Sequence, residues 1–146
     1  MAEIEPVEIL LVEDNPMDAE LATRALKKGG LANSMLWVKD GQEALDYLFH
    51  REAYSERTAG LPRLVFLDLK MPRVDGMEVL KAVKADPRTR RIPIVVMTSS
   101  QEDRDLIQTY DLGVNSYVVK PLDFNSVAEV VRQAGYYWLA INRSPR

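Results

Sequence analysis

The chain has 146 residues, 47% of them hydrophobic, with 19 Lys and Arg against 22 Asp and Glu for a formal net charge of -3. That is the size and composition of one ordinary domain, long enough to bury a core and too short to add a conventional second domain. The balance of charge gives no reason to expect nucleic acid or an anionic membrane surface as a direct partner. The absence of cysteine excludes disulfides and thiolate metal sites, and the one histidine, His50, cannot build a zinc site alone. No apolar run approaches the ~20 residues that span a bilayer, and the acidic start of the chain lacks the basic region of a targeting signal. A soluble, unprocessed, cytoplasmic protein is expected.

Ile9-Leu10-Leu11-Val12 is a continuous apolar run, which predicts a strand buried on both faces of a parallel sheet. Asn15-Pro16 then starts a helix, Asn as a cap and Pro in the first turn, and the helix runs over 17–28 to stop at Gly29-Gly30. Residues 35–38 read as a second strand, 41–49 as a helix, and Leu64-Val65-Phe66-Leu67 as a third strand ending at Asp68. The polar stretch 51–63, with Gly60 and Pro62, reads equally as a functional loop or as a helix extension with a tail. Residues 77–84 look helical, Ile94-Val95-Val96-Met97 is a strand after Pro93, 102–112 is a helix, and Tyr117-Val118-Val119 is a strand before Lys120-Pro121. A last helix over about 125–141 carries Val127, Val130, Val131, Ala134, Trp138 and Ile141 in one apolar stripe that must pack on the sheet. Five strands alternating with five helices imply a doubly wound α/β fold with a parallel sheet, whose ligands sit at the carboxyl ends of the strands. The expected organisation is a single domain over 1–146, with its core at about 7–135.

The residues that end these strands are polar: Glu13-Asp14, Asp68, Thr98-Ser99 and Lys120, all on one rim. Three carboxylates crowded there repel one another unless a cation sits among them, and an all-oxygen site suits a hard ion such as Mg²⁺. With that charge neutralised, a carboxylate can approach a phosphoryl group, to which Lys120 adds a positive charge and Thr98 a hydrogen-bond donor. Asp68 is then the nucleophile. Phosphoryl transfer needs mainly positioning and charge neutralisation, and this set supplies both without a histidine base. Each piece alone has a plainer reading: a strand ending in Asp is common, Glu13-Asp14 could cap a helix, Lys120-Pro121 is a turn signal and Tyr117 a core aromatic. Their coincidence on one rim favours the chemistry.

Leu11-Val12-Glu13-Asp14-Asn15, Leu67-Asp68-Leu69-Lys70-Met71-Pro72 with Asp75-Gly76, Met97-Thr98-Ser99 and Tyr117-Val118-Val119-Lys120-Pro121 together resemble the receiver domains of two-component response regulators. The resemblance covers nearly the whole chain. It implies the (βα)5, flavodoxin-like topology with strand order 2-1-3-4-5, and a protein that accepts a phosphoryl group from a sensor histidine kinase and signals through a changed surface. Asp68 is by that resemblance the phosphoacceptor. Asp14 binds Mg²⁺ directly, Glu13 acts through water, and the backbone carbonyl of Lys70 completes the protein ligands. Lys120 pairs with the phosphoryl group, Thr98 turns its hydroxyl toward it, and Tyr117 swings from exposed to buried as the switch. A cis peptide bond between Lys120 and Pro121 aims Lys120 into the site. Such a chain catalyses its own phosphorylation and dephosphorylation but has no turnover substrate. Glu13 stands where many relatives carry Asp, and Lys70 is expected to change the lifetime of the acyl phosphate.

A narrower similarity is to the stand-alone receivers that pair with bacterial phytochrome histidine kinases. It rests on the long segment before the third strand, the run Tyr110-Asp111-Leu112-Gly113-Val114-Asn115-Ser116-Tyr117, and the tail Tyr136-Tyr137-Trp138-Leu139. That subfamily often uses the extended last helix in homodimers. Tyr136, Tyr137 and Trp138 are consecutive and cannot all face one side, which leaves apolar surface for a partner. A metal-dependent phosphatase would want a second acid where Lys70 stands, and a flavin carrier's phosphate would be repelled by Glu13-Asp14. A phosphorylation-independent scaffold on the same fold stays open.

Overall fold

The computed structural model describes residues 9–28, 35–57, 60–69, 71, 73–98, 111–113 and 116–119. Five strands form one parallel sheet in the order β2-β1-β3-β4-β5: β1 (Ile9–Val12), β2 (Met35–Val38), β3 (Leu64–Leu67), β4 (Ile94–Thr98) and β5 (Ser116–Val119). This is the doubly wound order expected from the sequence. All four residues of β1 and all four of β3 are buried, as continuous apolar runs in a sheet covered on both faces require. Alternate strand residues serve opposite faces. Leu10, Val12, Val65, Leu67, Ile94 and Val96 join one apolar cluster with Ala44, Tyr47 and Leu48 of α2 (Gly41–Leu48) and Val79, Leu80 and Val83 of α3 (Gly76–Ala85). The intervening Ile9, Leu11, Phe66 and Val95 are equally buried and stand outside that cluster, as do the buried Ala19 and Ala22 of α1 (Pro16–Lys28). No described helix is long and apolar enough to cross a membrane.

Helix boundaries follow from their caps. The Asn15 side chain accepts from the N–H of Met17 at 2.9 Å and of Asp18 at 3.3 Å, so α1 begins at Pro16 with the asparagine cap and first-turn proline expected from the sequence. Asp40 and Asp75 do the same for α2 and α3, accepting from Glu43 N at 2.8 Å and Glu78 N at 3.0 Å. Both fit the spacing of an acid three residues ahead of a glutamate, a start signal the sequence carries at each place. The expected helix at 102–112 falls outside the described residues except at its end, and the expected last helix lies wholly outside them.

Of the two readings of the stretch 51–63, its described residues follow the loop and do not extend α2. His50 adopts φ 55°, which stops α2, and a 3-10 turn follows at Glu52–Tyr54. The chain then folds back along α2 as a strap. The Tyr54 ring meets the Tyr47 ring edge to face at 5.2 Å, and its hydroxyl donates to Glu43 Oε2 at 2.9 Å. Burial, then that carboxylate acceptor, push the Tyr54 phenol up to about 12. Arg57 lies 4.0 Å over the Tyr47 ring and donates to the carbonyls of Tyr47 and Gly60 at 2.8 and 3.0 Å.

One close approach ties α3 to the strand ends. A methyl group at Gly76 would overlap the Asp68 carbonyl oxygen and crowd the Leu69 Cα, while the Gly76 N–H donates to the Leu69 carbonyl at 2.9 Å. Gly76→Ala is therefore expected to cost about 1–3 kcal/mol from overpacking against rigid backbone. Urea unfolding of both proteins measures this, and an unchanged midpoint would contradict the fit.

Candidate functional site

The strand ladder sets the site. Beyond the last pair of β1 and β2, the Glu13 N–H donates to Val38 O at 3.1 Å, and beyond β1 and β3 the Asp68 N–H donates to Val12 O at 3.0 Å. Glu13 and Asp68 thus stand one step past neighbouring strand ends at the same level. Glu13 is 2% exposed and Asp68 7%, whereas Asp14 faces solvent. Carboxylate oxygens of Glu13, Asp14 and Asp68 lie within 4.8 Å of one another. At that spacing two unit charges repel by about 3 kcal/mol at an effective dielectric of about 20. Two buried carboxylates and an exposed one form a compact all-oxygen donor set, which fits a hard divalent cation such as Mg²⁺ and leaves an open side for water or an incoming group.

Two backbone contacts hold Glu13 in place. Its Oε2 accepts from the Asn15 N–H at 3.3 Å, and its carbonyl accepts from the Trp37 indole Nε1 at 2.7 Å. Trp37 had no functional signal in the sequence, since it lies 24 positions from Glu13 and the contact exists only because β1 and β2 are paired in register. The Lys39 ammonium sits 5.5 Å from the same ring.

The loop leaving β3 is clamped from α2. Arg73 makes a bidentate pair with Asp40, Nε to Oδ2 at 3.1 Å and a terminal nitrogen to Oδ1 at 2.8 Å. Burial works to raise the Asp40 carboxyl, but the Arg73 guanidinium and the N–H groups of Glu43 and Gln42 prevail and hold it below its usual value. Next to this pair, Gly41 packs so tightly on the Val74 carbonyl that a methyl group would overlap it.

Of the residues expected at the site, Glu13, Asp14 and Asp68 are brought together. Thr98 ends β4 on the same rim, its Cα paired with that of Val119, and Tyr117 lies within β5 with its Cα paired with that of Val96. The side chains of Thr98 and Tyr117 lie outside the described residues, as do Lys70, Ser99, Lys120, Pro121, Tyr136, Tyr137 and Trp138.

Residues 9–132 match the response regulator receiver domain. The chain is 46% identical over 141 residues to the probable methanogenesis regulatory protein FilR2 of Methanothrix harundinacea, covering 97% of this chain and 89% of that protein. Among solved structures, the phosphorylated cyanobacterial phytochrome response regulator RcpA superposes with a TM-score of 0.89 at 35% identity, over 97% of this chain and 100% of that one. The Mn(2+)-bound form of response regulator Rcp1 gives 0.88 at 34% identity, with the same coverage. On a fold, an acidic cluster and a match that agree along its length, this chain belongs to the response-regulator receiver domain family.

Proposed function

We propose that this chain acts as a single-domain response regulator over its whole length, in the cytoplasm, with Asp68 as its phosphoacceptor. The observation that carries this is the buried Asp68 carboxylate within 4.8 Å of Glu13 and Asp14 at the carboxyl end of a parallel sheet. An Asp68 oxygen attacks the phosphorus of the donor, the bond from phosphorus to the donor's leaving atom breaks, and an acyl phosphate forms. Mg²⁺, when bound, neutralises the carboxylates and the phosphoryl oxygens. Asp14 would hold it directly, Glu13 through water, and Asp68 and the Lys70 carbonyl would supply the remaining protein oxygens. Lys120 pairs with the transferred group, aimed by a cis bond to Pro121, and Thr98 donates its hydroxyl to it. That hydroxyl, drawn inward, vacates space into which Tyr117 turns, and the outer surface changes. The same site returns the carboxylate by hydrolysis, so the chain has no turnover substrate.

The donor is a sensor histidine kinase, of phytochrome type on the likeness to RcpA. Phosphotransfer from a light-responsive kinase of that type should label this chain, and failure of a kinase that labels its own regulator would remove the phytochrome assignment while leaving the receiver chemistry. Tyr136, Tyr137 and Trp138 form a surface for a second copy. Light scattering on the eluting protein should give twice the monomer mass, and a monomer at high concentration would sink the dimer.

The first test of the chemistry is intact mass after incubation with Mg²⁺ and acetyl phosphate. Wild type should gain one phosphoryl group, labile to hydroxylamine, and Asp68→Asn none. A folded, metal-supplied wild type without the adduct would favour a phosphorylation-independent scaffold.

A further inference from the structure

Arg73 is held in an unusual way for an exposed loop residue. Its backbone lies at φ 63°, the left-handed region that a long side chain rarely adopts, and such a conformation persists only where the surroundings fix it. Here the fixing contact comes from another loop. Both oxygens of Asp40 accept from the guanidinium at 3.1 and 2.8 Å, and Asp40 is itself immobilised because it caps α2 through the Glu43 N–H. Glu43 is held in turn, its Oε1 accepting from the Lys39 N–H at 3.0 Å and its Oε2 from Tyr54. The next residue along, Val74, is pressed by Gly41, and two residues further Gly76 rests on the Asp68 carbonyl. The loop between β3 and α3 is therefore pinned at both ends of its second half: to the start of α2 through Arg73 and Val74, and to Asp68 itself through Gly76.

We infer that Arg73, clamped by Asp40, is a positioning residue for the phosphoacceptor: it fixes the loop that leaves Asp68 and so the placement of the Asp68 carboxylate against Glu13 and Asp14. The inference rests on Asp68 being the phosphoacceptor. A planar guanidinium meeting both carboxylate oxygens sets orientation as well as distance, which a single ammonium does not. The contribution to overall stability is small, because the guanidinium is largely in water. The contribution to chemistry is larger, because displacing a reacting group by a fraction of an ångström is felt in the rate.

The structure supplies its own control. Asp86 and Arg88 form a second bidentate pair, at 3.1 and 2.8 Å, in the turn that follows α3, away from the carboxylate cluster. The full chain is compared with Asp40→Asn, Arg73→Gln, Arg73→Lys and Asp86→Asn. Asparagine still caps α2, so Asp40→Asn removes the ion pair and keeps the helix start. The measurements are the rate of phosphorylation by acetyl phosphate, Mg²⁺ affinity by calorimetry, and the thermal midpoint. Asp40→Asn and Arg73→Gln should phosphorylate about 10-fold more slowly and bind Mg²⁺ more weakly, with Arg73→Lys between them and wild type, and with thermal midpoints like that of Asp86→Asn. Wild-type rates and Mg²⁺ affinity in Asp40→Asn and Arg73→Gln would overturn the inference, as would an equal slowing in Asp86→Asn. A wild type that takes no phosphoryl group would instead overturn the assignment of Asp68.

Discussion

Three carboxylates share one end of the sheet because β1 and β3 are hydrogen-bonded neighbours that stop at the same level. Their mutual repulsion opposes folding, and what holds them together is the strand pairing beneath: eight wholly buried residues of β1 and β3, with the ladder continued by the N–H groups of Glu13 and Asp68. Apolar burial along these strands is non-directional and accumulates with area, whereas the electrostatic cost is confined to the rim. The core therefore sustains a charge arrangement that would disperse on an open chain, and a divalent cation relieves the repulsion instead of creating the geometry.

Around that cluster, precision comes from contacts that permit no slack. Gly76 allows backbone to touch backbone at Asp68, and Gly41 does the same at Val74 in the loop that leaves Asp68. Trp37 reaches across from β2 to the Glu13 carbonyl. The strap after α2 ties Tyr54 to Glu43, one helical turn into α2 from the Asp40 cap. These devices lie on different elements, yet each acts on the loops at the carboxyl ends of β1, β2 and β3, where a receiver does its chemistry.

Much of this was legible in the sequence, for identifiable reasons. Continuous apolar runs at Ile9–Val12 and Leu64–Leu67, short and bounded by polar residues, read as strands covered on both faces, and Glu13, Asp14 and Asp68 follow such runs directly, so their convergence could be reasoned from topology. The stretch 51–63 was not decidable, because its course depends on Arg57 stacking on Tyr47 and Tyr54 finding Glu43, contacts that no local pattern encodes. Trp37 and Arg73 carry no local signal for the same reason: their partners Glu13 and Asp40 are 24 and 33 positions away. The aspartate caps were different. Asp40 and Asp75 each precede a glutamate by three residues, a start signal that is local to the sequence.

The separation of strand interiors from strand ends has an evolutionary consequence. Positions inside the sheet must supply volume and apolar surface, a demand that many combinations of Val, Ile, Leu and Phe satisfy, while positions just beyond it must supply a particular charge at a particular place. Substitutions can accumulate in the first class without disturbing the second. A backbone that superposes with a TM-score of 0.89 on a chain only 35% identical is what such a division produces. It leaves lineages free to redraw the outer surface, and with it the choice of kinase and target, around chemistry that stays put.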